Sequence, residues 1–170
     1  MGEIPLNRGE RVQNVEITEV GSEPMPLIPL SKTDHQLEEP GLDVRGYLML
    51  GSDGQPMGRV EEILLDADRR AIDRGLPLFH VEFAAVRYTD NAGLQQWVLV
   101  PMAVVKQIDH EQRQVTVRLP AKLACQQAYG FRAPDEISLE GEQEVYAFWE
   151  VEPRWARSGR GPRELVEKRR

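Results

Sequence analysis

Residues 44–66 constrain the fold more than any other part of the chain, because their pattern is that of two strands joined by a tight turn. Leu48–Leu50 precede Ser52–Gly54, a tripeptide that supplies a capping carboxylate and a residue free to adopt positive φ. Gly58 then interrupts a strand pattern, which predicts a bulge or a close approach of two backbones. The apolar run in Ile63–Asp66 ends on an acid. The stretch therefore predicts an antiparallel hairpin whose second strand ends at Asp66.

Short strands with intervening turns continue beyond this hairpin. Apolar and polar residues alternate along Leu78–Arg87, and polar or glycine-containing turns follow at 89–93 and 109–112. Further strand patterns occupy Leu94–Val105 and Val115–Leu119, and Pro101 marks an edge position or the end of pairing. Turn signals about every ten residues between short strands are typical of a barrel or a sandwich.

The region after Pro120 predicts one helix and two more strands. Good helix formers fill residues 121–129, and Gly130 is suited to the helix C-terminus. Strand patterns then occupy 136–140 and 144–151, joined at Gly141. The prediction is thus an all-β protein: a small β-barrel with one short helix and extended N- and C-terminal tails.

The N-terminal 43 residues contain prolines at positions 5, 24, 26, 29 and 40. Val12–Val20 alternates in part and predicts one edge strand. Pro24–Leu30 is apolar, but its prolines lack the amide donors that a helix or an interior strand needs. We expect this segment to lie along a surface, either of the barrel itself or of a partner subunit. The candidate docking residues are Met25, Leu27, Ile28 and Leu30, together with Arg45 at the barrel entry.

Composition describes a globular chain with an unequal charge distribution. Apolar residues make up 41% and charged residues 29%, and no apolar run approaches the ~18–20 residues of a membrane span. Cys125 is the lone cysteine, which excludes an internal disulfide and fits a reducing compartment. The N-terminus also lacks the features of a signal peptide. We therefore expect a cytoplasmic chain that does not itself span a membrane.

The charge changes sign near residue 153. Residues 1–153 contain 14 Lys/Arg and 26 Asp/Glu, a net of −12, and residues 154–170 contain 7 Lys/Arg and 2 Glu, a net of +5. The acidic body disfavours nucleic acid as a partner. The basic tail predicts contact with anionic lipid or an acidic protein surface, or else a solvated terminus. The candidate contact residues are Arg154, Arg157, Arg160 and Arg163.

An ordered set of motifs over residues 42–150 resembles a known family. The set is LDVRG, GRVEEILLD, LFHVEF, LVPM, VTV, the predicted helix, APDEISL and EVYAFW. It is similar to the PRC-barrel family and most like the cytoplasmic domain of the photosynthetic reaction-centre H subunit. That family has an RG entry, a G-K/R-V strand ending in Asp, an F-x-x-VE strand and an LxPM strand. The implied organisation is an extended docking arm (1–43), a PRC-barrel domain (44–152) and a basic tail (153–170).

The resemblance implies a non-catalytic subunit on the cytoplasmic face of the photosynthetic membrane. Such a subunit caps L- and M-like membrane subunits, stabilises their quinone sites and assists proton entry to the secondary quinone. It binds no cofactor directly, since bacteriochlorophyll and quinones reside in the partner subunits. H subunits ordinarily begin with a transmembrane helix, which this sequence does not contain. The implied alternatives are a separate anchor chain, or a soluble PRC-barrel adaptor that binds protein or RNA outside photosynthesis.

Carboxylates after the hairpin are the candidate proton-relay groups, because H subunits conduct protons through such groups. Asp66 matches the Asp that ends the family's G-K/R-V strand, and Asp68 stands near a further family acid, at whose position this chain has Arg69. Glu61 and Glu62 precede them, and clustered carboxylates raise one another's pKa. The alternative is a solvated acidic turn. A second relay candidate is Asp34-His35, or else an exposed linker histidine.

Motifs of enzymes are absent from the sequence. It contains no phosphate-binding glycine loop, HExxH or GxSxG, and its three histidines, His35, His80 and His110, are scattered. His80 is predicted to lie on the surface, because it alternates with Phe79 and Val81. We therefore expect a protein that binds rather than catalyses.

Overall fold

The structure is a computed structural model that describes residues 24–34, 36–126 and 137–157. The chain divides into two compact units. One unit is Pro26–Val151, and the other combines Met1–Met25 with Glu152–Arg170. Residues 26–43 of the predicted arm thus belong to the same unit as the strands. The predicted edge strand at 12–20 lies outside the described residues.

The unit Pro26–Val151 consists mainly of strands, which confirms the predicted all-β class. The described strands are β1 (Ile28–Pro29), β2 (Gln36–Leu37), β3 (Leu48–Leu50), β4 (Pro56–Asp73), β5 (Leu76–Thr89), β6 (Gln95–Pro101), β7 (Val105–Asp109) and β8 (Gln114–Val117). Short 3₁₀ turns occupy Leu30–Lys32, Pro40–Leu42 and Met102–Val104. Two helices follow, α1 (Ala121–Ala124) and α2 (Leu139–Trp149).

All eight strands form one sheet, which curls into a half-barrel. Its order is β2-β5-β4-β3-β8-β7, with β1 also paired to β4 and β6 also paired to β5. The long hairpin of β4 and β5 is the centre of the sheet, because each of its strands is long enough to pair with two further strands. Pairing is antiparallel throughout except for β2 with β5 and β3 with β8, which are parallel.

The hairpin predicted at 44–66 is confirmed. Leu48 pairs with Arg59, Gly54 has φ +79°, and Asp53 Oδ1 accepts a hydrogen bond from the Gln55 amide at 3.2 Å. The close approach predicted at Gly58 is also present. A Cβ placed there would lie 2.2 Å from the carbonyl oxygen of Arg87 on β5, so only glycine lets the two strands pair at this point.

The predicted end of the second strand at Asp66 is wrong. β4 continues to Asp73, with register shifts at Val60/Glu62, Leu64/Leu65 and Asp66/Arg70. An Arg74-Gly75 turn with φ of 53° and 81° then leads into β5. Positive φ at both central turn residues matches the right-handed twist of the strands. The bulges allow the acidic stretch after Leu65 to remain in the strand rather than end it.

The centre of β5 is buried on both faces. Residues 81–86 are all buried, whereas strict alternation predicts that every second one faces solvent. α2 contacts the neighbouring strand β6 and covers one side, since Trp149 Nε1 donates to the Leu99 carbonyl at 3.0 Å. The small Ala84 and Ala85 are fully buried at this level of the sheet.

The strands predicted at 136–140 and 144–151 are wrong, because residues 139–149 form the helix α2. The described part of this unit therefore contains two helices, where the sequence predicts one. α2 spans Leu139–Trp149 and begins after Ser138, whose Oγ accepts a hydrogen bond from the Gly141 amide at 3.0 Å. Two acids lie in its first turn, where they complement the helix dipole. Its buried residues follow helical spacing at Glu142, Val145, Tyr146 and Trp149. Packing of this face outweighs the strand propensity of valine and the aromatic residues. The earlier helix was predicted over 121–129, and its described part is α1.

The second unit is described only near its boundaries, at 24–25 and 152–157. It contains the short helix α3 (Arg154–Arg157), whose Ala156 and Arg157 amides donate to the Pro153 carbonyl. In the described parts of both units, no helix has the length and apolar character needed to cross a bilayer.

Candidate functional site

A buried triad of polar side chains joins α2 to β5. The Tyr146 hydroxyl lies 2.8 Å from Glu82 Oε2 and 3.1 Å from Glu142 Oε2. Glu142 and Tyr146 share one helix face because they are one turn apart. The exposed fractions are 3% for each glutamate and 1% for the tyrosine. We call Glu82, Tyr146 and Glu142 the buried triad.

His80 connects the buried triad to the surface. It lies two residues before Glu82 on β5, hence on the same face, and its Nε2 is 3.5 Å from Glu82 Oε1. Its Nδ1 lies 3.9 Å from Oε1 of Glu38, whose side chain is 44% exposed. The His80 side chain itself is 22% exposed, so the predicted surface histidine is half-buried. Glu38, His80 and the buried triad together form a line of titratable groups, which we call the acid line.

The acid line has the chemistry of a proton relay. A phenol hydroxyl both donates and accepts, and an imidazole does so through its two nitrogens. The single hydroxyl proton of Tyr146 can serve only one of the two carboxylates at a time, so its direction can alternate between Glu82 and Glu142. Burial keeps bulk water from competing for these contacts.

Asp66 and Asp68 lie beside this line. Asp66 is the register partner of His80, so the two residues share a face of the sheet, and only 1% of Asp66 is exposed. Its Oδ1 accepts a hydrogen bond from the Asp68 amide at 3.0 Å. Asp68 is half-buried. Asp66 is therefore already desolvated within this chain, a condition that a relay carboxylate must meet.

Glu61 and Glu62 contact partners of their own. Glu61 is exposed and lies 3.3 Å from Nε of Arg87. Glu62 Oε1 accepts from the Ser31 amide at 3.2 Å, and its Oε2 accepts from the Ser31 hydroxyl. These contacts connect β4 to Arg87 of β5 and to Ser31, and none of them involves Asp66. Asp34 is exposed, and His35 lies outside the described residues.

The structure places part of the candidate docking segment on the chain's own sheet. Ile28 pairs with Leu65 of β4 and is half-buried, and Leu30 is buried. Leu27 is half-buried, and 52% of Met25 is exposed. The sequence left open whether this chain or a partner contacts the segment, and the structure shows residues 28 and 29 paired with β4 of the same chain.

A cleft of about 550 Å³ opens beside this segment, within the same unit. One wall of the cleft is apolar and is formed by Leu30, Leu37 and Pro40. The other is charged and is formed by Asp43 and Arg45. Arg45 Nε and Nη2 each lie 2.7 Å from an Asp43 oxygen. Hydrogen bonding to the guanidinium lowers the pKa of the Asp43 carboxyl, and the same bond raises the pKa of Arg45. The cleft thus offers apolar surface next to a fixed ion pair.

The described arginines of the basic tail bind backbone carbonyls. Arg154 is buried, its Nη2 donates to the Met25 carbonyl at 2.6 Å, and its guanidinium carbon lies 6.0 Å from the Trp155 ring centre. Arg157 Nε donates to the Glu152 carbonyl at 3.1 Å. Arg160 and Arg163 lie outside the described residues. Contact of the tail with lipid stays a prediction.

Other chemistry is sparse in residues 24–34, 36–126 and 137–157. No group of three or more His, Cys, Asp or Glu residues there is arranged to hold a metal ion. Cys125 is half-buried, and desolvation raises the pKa of its thiol, so the reactive thiolate is disfavoured at neutral pH. Its carbonyl accepts a hydrogen bond from the Tyr88 hydroxyl at 2.8 Å.

Sequence reasoning missed the buried triad. The alternation along Leu78–Arg87 groups Glu82 with His80, opposite the apolar residues of the strand. Tyr146 was assigned to the strand at 144–151, and Glu142 to the link between two strands. The available indication was the spacing of residues 142, 145, 146 and 149, which is the i, i+3, i+4, i+7 pattern of a helix face.

Comparison with known proteins adds no relative. No protein-family model matches the sequence, and a search of curated proteins finds no significant match.

Proposed function

We propose that this chain is a non-catalytic, H-like cytoplasmic subunit of a photosynthetic reaction centre. It caps L- and M-like membrane subunits, stabilises their quinone sites and assists proton entry to the secondary quinone. The single observation that carries the proposal is the acid line, which leads from an exposed carboxylate to a pair of buried ones through contacts of 2.8–3.9 Å. The motif resemblance over residues 42–150 suggests which reaction the acid line would serve, namely protonation of the secondary quinone.

The arrangement of the acid line suits proton transfer better than stability alone. Burying carboxylates lowers the stability of a fold unless they are paired and hydrogen-bonded, and well-packed apolar residues at these positions would often be at least as stable. Asp66 adds a further buried carboxyl on the same face of the sheet. A chain that retains several buried acids next to a histidine and a tyrosine is therefore suited to holding and passing protons.

Partners complete the proposed role. Bacteriochlorophyll and quinones are bound by the membrane subunits and none by this chain. In this role the protein is peripheral on the cytoplasmic face of the photosynthetic membrane. The exposed Met25, the half-buried Leu27 and the Arg45 end of the cleft offer contact surface to those subunits.

Assembly is the first test of this proposal. We expect the tagged full chain to co-purify with detergent-solubilised L- and M-like subunits at near-unit stoichiometry, as a specific interface of about 1,200–2,000 Å² or more allows. The measurement is pigment absorbance in the eluate relative to chain content. An eluate free of pigment at every ionic strength would reject membership of the complex.

Proton delivery is the second test, made on the assembled complex. Tyr146→Phe keeps the ring and removes the hydroxyl that contacts both carboxylates, so we expect the proton-coupled second reduction of the secondary quinone to slow by tenfold or more while the first stays fast. Flash-induced absorbance changes with a pH indicator dye measure both steps. Tyr88→Phe is the matched control, because it removes a hydroxyl that donates to the Cys125 carbonyl and contacts neither carboxylate of the buried triad in the described structure. Equal rates in both variants would leave the acid line a structural feature.

The second candidate function is a soluble PRC-barrel adaptor outside photosynthesis. The cleft favours it, because apolar walls beside a fixed Asp43–Arg45 pair suit an extended peptide, and the acidic body favours protein over RNA. An adaptor would bind its partner protein without pigmented subunits, and Tyr146→Phe would leave that binding unchanged.

A further inference from the structure

The tip of the β4–β5 hairpin extends beyond the rest of the sheet. β6 pairs with β5 only over Phe83–Thr89, and β2 reaches no further than Leu78. Among the described residues, the pairs Ile72↔Pro77 and Asp73↔Leu76 are thus flanked by no other strand. At ~3.3 Å per residue, the two unflanked strand positions 72 and 73 extend about 7 Å beyond the last position that β2 flanks. We call Arg69–Leu76 the hairpin tip.

The hairpin tip exposes large apolar side chains on both of its faces. Ile72 is 66% exposed and Leu76 is 55% exposed, and the register places them on opposite faces. They are two of the five large apolar residues that are exposed in the described chain. Exposure of two such residues beside a tight turn serves no packing role within the unit. Both side chains are therefore available for a contact outside the chain, at a point where no other described strand flanks the hairpin.

The sequence around these two residues is basic, in contrast to the acidic body. Positions 69–76 contain three arginines and one aspartate, a net of +2, whereas residues 1–153 carry −12. Arg69 and Arg74 are exposed, and neither forms a salt bridge with any residue that the structure describes. Screening over ~8–10 Å at ordinary ionic strength lets the local charge of the tip outweigh the more distant acids.

We propose that the hairpin tip inserts into the surface of an anionic phospholipid membrane. Ile72 and Leu76 enter the boundary between headgroups and acyl chains, and Arg69 and Arg74 contact the lipid phosphates. Apolar side chains flanked by basic ones are the combination that binds such surfaces, since burial and charge attraction add. The tip is narrow and its backbone is paired within the hairpin, so insertion would leave few unsatisfied polar groups. This contact is independent of the reaction-centre proposal, because it requires lipid alone.

The test is co-sedimentation of the full chain with vesicles of 70% phosphatidylcholine and 30% phosphatidylglycerol. We expect Ile72→Thr/Leu76→Thr to lower the partition coefficient at least tenfold. Arg69→Gln/Arg74→Gln should lower it by a similar factor at low salt, because each arginine near the surface contributes about fivefold. The effect of the two arginine substitutions on the partition coefficient should be smaller at about 0.5 M salt, because screening there removes most of the electrostatic attraction. Urea unfolding of each variant verifies that the fold is retained.

Leu94→Thr is the matched control, since Leu94 is 60% exposed at the other end of β5, beside Asp90. It should bind as the wild-type chain does. The proposal is overturned if the wild-type chain fails to bind the vesicles or binds pure phosphatidylcholine vesicles equally well. It is also overturned if the tip variants bind as strongly as the wild type, which would mean that the basic tail suffices. It is also overturned if the tip substitutions only abolish self-association in the absence of vesicles, which would identify a second copy as the occupant.

Discussion

Replacing Trp149 with alanine is expected to lower the free energy of unfolding by ~3–5 kcal/mol. The indole is fully buried, packs edge-on against Phe148 with ring centres 5.5 Å apart, and donates its N–H to the Leu99 carbonyl at 3.0 Å. The Trp149 carbonyl also accepts a hydrogen bond from Arg118. Truncation therefore opens a cavity and removes a hydrogen bond between α2 and β6. A shift of the urea midpoint, followed by circular dichroism, measures the loss.

Phe148→Ala is the control for this prediction. Phe148 adjoins Trp149 in the same helix but is only half-buried, so its truncation should cost less than half as much. Both variants share the loss of an aromatic residue from α2, and the difference between them reports burial against the sheet. Equal midpoint shifts would mean that α2 contributes its helical structure but little packing energy.

Gly58→Ala is expected to destabilise the protein by about 3 kcal/mol or more. Its Cβ would lie 2.2 Å from the Arg87 carbonyl oxygen and 3.0 Å from the Arg87 carbonyl carbon. Both are backbone atoms of the paired strand, so no side-chain rotation relieves the clash, and β4 must move away from β5. Overpacking of this kind costs ~1–3 kcal/mol even where side chains can yield. The urea midpoint is again the measurement, together with amide exchange of residues 59 and 87.

Gly54→Ala separates this steric effect from the general cost of replacing glycine. Gly54 has φ +79° and no atom within 4 Å of an added Cβ, so only the left-handed conformation is penalised, at about 1 kcal/mol. A smaller midpoint shift for Gly54→Ala than for Gly58→Ala is the expected order. The reverse order would show that the strands separate at Gly58 without strain.

Local chemistry made the turns and the first hairpin predictable. Gly54 and Gly93 take the positive φ that their turns need, and Asp90 caps its turn by accepting from the Ala92 and Leu94 amides. β6 ends at Pro101, as a residue without an amide donor requires. These features depend on neighbours within a few residues, so the sequence specifies them directly.

Features set by distant packing were not predictable in the same way. α2 contains Val145, Tyr146 and Trp149, residues that favour strands in isolation, and it is helical because that face packs on the sheet. The length of β4 depends on bulges that strand patterns do not specify. Among the candidate relay residues, Asp66 is buried, and its role in proton transfer stays a prediction. The triad that includes Glu82 was not predictable, because it depends on where α2 lies.

The parallel pairing of β3 with β8 determines when this sheet can close during folding. Leu48 pairs with Gln114, which follows it by 66 positions, whereas the β4–β5 and β7–β8 hairpins join near neighbours. Contacts between distant residues require closure of a long loop, whose entropy cost is recovered only after the local hairpins exist. The pairing of β3 with β8 is therefore a late step of folding, and it depends on a β3 strand of only three residues. A nascent chain that has not yet reached residue 114 presents β3 as an open edge, and the shortness of that strand limits the pairing it offers to other chains.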